Sequence, residues 1–180
     1  MSDTRLVTAA ELERRPEDDF RYELLAGRLI QLSPTGWDHG RIVARLLVLL
    51  DQFARPRNLG FTVTEVGFKL TSDPDTVRAP DVAFVRRERM HSGKLSGFWT
   101  GPPDLAVEVI SPDDRPGDIG AKVKEYLTCG ALAVVVVDPD ERAATTYHRL
   151  SAPVTVRDGD ELDLADVVEG FRCPVREILD

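Results

Sequence analysis

Two apolar runs on either side of a helix-period segment constrain this chain more than any other feature. Residues 132–137 (LAVVVV) are a continuous apolar run of the kind buried on both faces of a sheet, stopped by Asp138-Pro139. Residues 105–110 (LAVEVI) read as a second strand. Between them, residues 111–114 (SPDD) read as a turn and helix start, residues 118–127 as a helix, and Gly130 as its terminator. Strand, helix and strand in this order predict a right-handed crossover joining parallel neighbours.

The patterning extends outward from that unit. Thr8, three residues before Glu11, predicts a capping box opening a short helix that Pro16 ends. Residues 20–33 read as a hairpin turning at Ala26-Gly27. In residues 37–53 the positions Ile42, Val43, Leu46, Leu47, Leu50 and Phe53 recur at helical spacing, so one face of that helix packs on something. Residues 61–70 read as one strand and residues 82–85 as another, entered through Ala79-Pro80-Asp81; with residues 105–110 they are most simply a meander. Residues 86–101, basic and then Gly- and Trp-containing, read as a surface loop, and residues 145–149 as a further strand. The expectation is an α/β (mixed) fold, a mixed sheet flanked by helices, in one domain spanning residues 1–180.

No apolar run reaches the roughly 18 residues of a membrane span, and no membrane contact is expected. The first residues, MSDTR, lack the apolar stretch of a signal peptide, so a cytoplasmic location is expected. Cys129 and Cys173 agree with that as buried thiols rather than a disulfide. The formal net charge of -8 opposes a protein that coats nucleic acid by neutralising phosphates. The charge is uneven, however: residues 1–100 carry 15 Lys and Arg against 14 Asp and Glu, and residues 101–180 carry 8 against 17.

Polar residues inside apolar strands are the candidates for chemistry. Strand alternation puts Glu108 on the face shared with Ala106 and Ile110, where a carboxylate is costly unless it is paired or holds a metal. Asp81 begins the neighbouring strand directly after a proline, so the two carboxylates can converge. Such a pair suits Mg²⁺, a hard ion that takes a few protein oxygens and leaves room for water and phosphate. The plain alternative is that Asp81 caps a turn and Glu108 pairs with an arginine such as Arg78. Lys122 stands four residues after Asp118 and four before Tyr126; it is either half of a helix-stabilising pair or an ammonium reaching the Glu108 strand. His39 lies on the apolar face of its helix, Glu23 alternates with Arg21 and Leu25, and Glu65 interrupts the face of Phe61 and Val63. Either glutamate could add a metal oxygen or pair with an arginine. The basic run Arg86, Arg87 and Arg89, with His91 and Lys94, could grip phosphates or be a solvated loop.

These residues resemble a known family. The strings Tyr22-Glu23-Leu-Leu-Ala-Gly27, Ser33-Pro34 with His39, Arg78-Ala-Pro-Asp81-Val82, Pro103-Asp104-Leu-Ala-Val-Glu108-Val-Ile-Ser111-Pro112, and Asp118 with Lys122 and Tyr126 look like the Uma-two family of endonucleases, within the PD-(D/E)XK superfamily. The likeness runs from about residue 8 to residue 149, leaving residues 150–180 as a short C-terminal extension. It implies a restriction-endonuclease-like core and Mg²⁺-dependent (or Mn²⁺-dependent) hydrolysis of DNA phosphodiesters. Asp81 and Glu108 would match the two acidic motif positions. The superfamily lysine should stand two residues after Glu108, where this chain has Ile110; family members look similar in carrying it on the next helix, here Lys122.

The resulting expectation places Asp81, Glu108, Lys122, Glu23 and His39 in the catalytic site, with Asp81, Glu108 and Glu65 around the metal. Arg86, Arg87, Arg89 and Lys94 would make a local DNA contact, and a homodimer is expected because duplex cleavage suits two-fold symmetry. The rivals are a catalytically inactive binding or regulatory domain on the same fold and a metal-dependent hydrolase of small phosphorylated molecules.

Overall fold

A computed structural model describes residues 5–16, 20–90, 96–112 and 114–180. Helix α1 (Ala9–Glu13) opens behind Thr8, whose hydroxyl accepts the Glu11 N–H at 3.2 Å while the Glu11 carboxylate takes the Thr8 N–H at 2.9 Å, the expected capping box. Strands β1 (Arg21–Leu25) and β2 (Arg28–Leu32) form the expected hairpin, and Ala26 and Gly27 both adopt positive φ, 46° and 76°, as a two-residue turn requires. Helix α2 (Trp37–Ala54) follows. Then come β3 (Gly60–Val63), β4 (Phe68–Thr71), β5 (Thr76–Arg78), β6 (Val82–Arg86), β7 (Trp99–Thr100), β8 (Leu105–Val109) and α3 (Pro116–Cys129). The chain closes through β9 (Ala133–Asp138), β10 (Ala143–His148), β11 (Val154–Arg157), β12 (Glu161–Asp163), β13 (Arg172–Pro174) and α4 (Val175–Leu179).

The main sheet has the order β11-β10-β9-β8-β6-β3. Strands β8 and β9 are parallel, with Glu108 beside Val136, and α3 makes the crossover between them, as the two apolar runs require. Strands β3, β6 and β8 form the expected antiparallel meander. One face packs Val82, Phe84, Val107 and Val135 against Ile42, Leu46 and Leu50 of α2; the other packs Ala106, Val134 and Val136 against Ile119, Val123 and Tyr126 of α3. Gly130 ends α3 at φ 110°, a left-handed cap that its lack of a side chain permits.

The structure corrects three readings. Residues 61–70 are two strands, not one: Glu65 adopts φ 57° and breaks the chain between β3, at the edge of the main sheet, and β4, which joins a second sheet of order β2-β1-β5-β4-β7. The short strand β5, too short for a period to show, lies inside that second sheet. Residues 86–101 hold more order than a loop, since Arg86 ends β6, Arg87–Arg89 make a 3-10 turn, and β7 runs parallel to β4. Finally, residues 150–180 are no appendage: Leu162, Leu164, Phe171, Ile178 and Leu179 are buried in the same core as α2 and the main sheet, and Phe171 meets Phe53 edge-on at 5.3 Å.

Candidate active site

The β6–β8 register that pairs Val82 with Val107, continued by one residue, sets Asp81 opposite Glu108 at the mouth of the sheet. The face that Glu108 shares with Ala106 is covered by α3, and that helix supplies both partners of the carboxylate. Lys122 Nζ donates to Glu108 Oε2 at 2.7 Å, and the Tyr126 hydroxyl, one helical turn on, donates to Oε1 at 3.0 Å. Glu108 is 3% exposed, and its burial is what would make a bare carboxylate so costly. That burial, reinforced by the charge of Asp81 and only partly offset by Lys122, holds the Glu108 carboxyl above the usual carboxylate range. Burial works against the Lys122 ammonium too, but the charges of Glu108 and Glu23 outweigh it and hold it protonated. Tyr126 is likewise pushed up, by burial and the neighbouring carboxylates, which keeps its hydroxyl a hydrogen-bond donor to Glu108.

Asp81 is fixed from several sides. Its Oδ2 accepts the Val109 N–H at 2.7 Å and faces His39 Nε2 at 3.2 Å. Its backbone carbonyl accepts the Thr64 hydroxyl at 2.6 Å. Two residues before it, the Ala79 N–H donates to Glu23 Oε1 at 3.0 Å, while Glu23 Oε2 receives Arg78 Nη1 at 2.7 Å. Arg78 Nε in turn donates to Glu125 of α3 at 2.8 Å. The hydrogen bond to Asp81 raises the His39 pKa above its ordinary 6.5 against the opposing pull of burial. His39 Nδ1 is buried without a hydrogen-bond partner among the described residues.

The expected site residues therefore meet in one place. Asp81, Glu108, Lys122, Glu23, His39 and Glu65 all line a single cleft of about 720 Å³. Their roles separate by contact. The oxygens of Glu23 are both taken by Arg78 and Ala79, so Glu23 anchors the segment that delivers Asp81. Glu65, at the backbone turn between the two sheets, pairs with Arg21 at the cleft rim. Arg78, the arginine that could have neutralised Glu108, is engaged by Glu23 and Glu125 instead.

The basic run is not brought to the cleft. Arg86 stands at the opposite end of β6 from Asp81 and donates to the carbonyls of Val167 and Asp166; Arg89 donates to the Pro102 carbonyl and pairs with Asp104 at 3.0 Å; Arg87 covers the Phe61 ring at 5.3 Å. His91 and Lys94 lie outside the described residues. Two residues had no assigned role from sequence. Tyr126 could have been found as the residue one turn after Lys122 on the same helical face. Asp104, which is buried and caps the Arg86 N–H at 2.8 Å, carried no signal that separates a structural carboxylate from a functional one.

The donor set fits a hard divalent cation in a limited way. Among the described residues no three of His, Cys, Asp and Glu converge closely enough to hold an ion unaided. Mg²⁺ needs only one or two carboxylates, with water and substrate phosphate completing the shell. Asp81 Oδ1 meets no protein donor among the described residues, and each Glu108 oxygen, engaged once, keeps a second lone pair.

The family model of Uma2, described as "Putative restriction endonuclease", matches residues 9–176. No curated protein matches the chain. Among solved structures, the chain resembles a crystal structure of "a putative nuclease belonging to DUF820" from Anabaena variabilis ATCC 29413, with a TM-score of 0.84 and 17% identity over 96% of this chain and 97% of that one. At that identity the likeness concerns the fold.

Proposed function

The chain belongs to the Uma2 family, and on that premise we propose that it is a metal-dependent endonuclease hydrolysing DNA phosphodiester bonds, in which Asp81 and Glu108 hold Mg²⁺ or Mn²⁺. The observation that carries this reading is the pair of carboxylates, one on β8 and one at the entry to the adjoining β6, with a lysine ammonium 2.7 Å from one of them, all in one open cleft. A divalent ion bound there supplies Lewis-acid stabilisation of phosphoryl charge and a more acidic bound water.

The side chains of this protein do the rest. Lys122 is held protonated and aimed into the cleft, so it can neutralise charge that builds on a phosphoryl oxygen in the transition state. Tyr126 fixes the Glu108 carboxylate through its hydrogen bond to Oε1, which makes Tyr126 a positioning residue. His39 orients Asp81 through Oδ2 and leaves Oδ1 open. Glu23, Arg78 and Glu125 tie the hairpin, the entry to β6 and α3 together, and so hold the two carboxylates in mutual register.

The test is incubation of the protein with plasmid and with single-stranded DNA, in Mg²⁺, in Mn²⁺ and in chelator. Cleavage is expected with either ion, none with chelator, and none from Asp81→Ala. Cleavage that survives Asp81→Ala sinks the assignment. Calorimetric titration with Mn²⁺ reads the ion directly, and Glu108→Ala is expected to weaken it.

A further inference from the structure

Affinity for a nucleic-acid strand usually comes from cationic groups neutralising phosphates. Most cations near this site are already engaged: the formal net charge is -8, Arg86 and Arg89 are spent on backbone carbonyls and Asp104, Arg21 on Glu65, Lys122 on Glu108, and of the arginines lining the groove beside the cleft Arg41 donates to the Leu179 carbonyl and Arg142 to Asp158 and Asp180. The remaining general source of affinity is the face of a base against an aromatic side chain, which works whatever the base.

One residue is placed to supply it. Trp37, the first residue of α2, is 85% exposed, far more than a side chain of that apolar area ordinarily is. It stands two positions before His39 on α2. Trp37 lines a groove of about 380 Å³ that adjoins the catalytic cleft, and the two share Gly36, His39, Ser111 and Pro112. Ile110 and Pro139 give that groove an apolar wall. A strand whose phosphate lies by Asp81 and Glu108 therefore leads its neighbouring nucleotide into a groove edged by an indole.

Resting on the nuclease reading, we propose that Trp37 is a stacking platform for an unpaired base next to the scissile phosphate, so that the site takes single-stranded or locally unpaired DNA over intact duplex. An unpaired base offers its face to an indole directly, whereas inside a duplex both faces of a base are covered and stacking there first costs the unstacking of a base step. The preference follows from the position of one side chain and requires no sequence readout.

The experiment uses the full chain, a labelled 12-nucleotide single strand, and the same sequence as a duplex, with binding read by fluorescence anisotropy in chelator, where the strand stays uncut. The wild type is expected to bind the single strand more tightly than the duplex. Trp37→Ala is expected to weaken single-strand binding roughly 10-fold, to leave duplex binding unchanged, and to be largely rescued by Trp37→Phe. The exposure of Trp37 means Trp37→Ala should melt with the wild type. The chain has two tryptophans, Trp37 and the partly buried Trp99, so iodide quenching of Trp37 should fall when the single strand saturates the protein. Single-strand binding unaffected by Trp37→Ala, equal or tighter binding of duplex, or no binding of either form overturns the proposal. Mg²⁺-dependent cleavage that ignores Trp37 removes the stacking role and leaves the nuclease; Trp37-dependent binding with no cleavage in either ion does the reverse.

Discussion

The Tyr126 hydroxyl donates to Oε1 of Glu108 at 3.0 Å from a position with no solvent exposure. Removing the donor leaves a buried carboxylate oxygen without that bond. Tyr126→Phe is therefore expected to keep the fold and to lower stability by about 1.5–3 kcal/mol, the range for hydrogen bonds to charged groups, in urea denaturation. If Tyr126 only fills space, the phenylalanine variant will be isoenergetic with the wild type.

Lys122 and Glu108 form a mostly buried pair, and breaking such a pair costs more than the pair is worth. Lys122→Met is expected to destabilise by about 3–5 kcal/mol. Adding Glu108→Gln should return much of that loss, because the unpaired charge goes with it. A double-mutant cycle on denaturation midpoints checks this, and strictly additive losses would contradict the pairing.

His39 should titrate above 6.5, because its hydrogen bond to Asp81 favours the charged ring. A raised folded pKa means the stabilisation is complete below 6.5 and fades as pH rises through the folded value. Imidazole proton shifts measured by NMR across pH 5–9 give the midpoint, and Asp81→Asn should move it downward. An unchanged midpoint in that variant would show that the ring is governed by something else.

Cys173 is buried in the core, and burial pushes its thiol up to about 12, so almost none of it is thiolate at pH 8. Iodoacetamide at pH 8 is expected to label the half-buried Cys129 in the native protein and to reach Cys173 only after denaturation. Peptide mapping distinguishes the two sites.

Phe171 tests whether residues 150–180 belong to the core. The side chain is 2% exposed and sits edge-on to Phe53 of α2. Phe171→Ala is expected to cost about 3–5 kcal/mol in chemical denaturation. A loss near zero would return residues 150–180 to the status of an extension.

Legibility from sequence followed the length and regularity of each signal. The β8–α3–β9 unit was readable because its two apolar runs and the helix terminator at Gly130 are local and strong. Glu108 stood out because a carboxylate on an apolar face demands a partner, and Lys122 could be weighed because helical spacing fixes its face. Asp81 needed the adjacent strand. What stayed hidden was set by tertiary competition: Glu65 looked like an interruption within one strand, whereas its left-handed backbone sends β3 and β4 to different sheets. Arg86 and Arg89 read as a phosphate grip because sequence cannot show that Asp104 and nearby carbonyls have claimed them. The C-terminal segment carries little periodic signal because its strands are only three or four residues long.

The separations along the chain divide the site into two unequal halves. Glu108 meets Lys122 across 14 residues and Tyr126 across 18, within a single strand–helix unit. Asp81 reaches His39 across 42, and Arg78 reaches Glu23 across 55. Closing the longest of these loops rather than the shortest costs about 1 kcal/mol more in chain entropy, before any ordering of the intervening strands. The carboxylate–lysine half is thus assembled from contacts that lie close along the chain, although β8 still packs on α2. The Asp81 half exists only in the finished fold, so the protein becomes competent only when it is fully assembled.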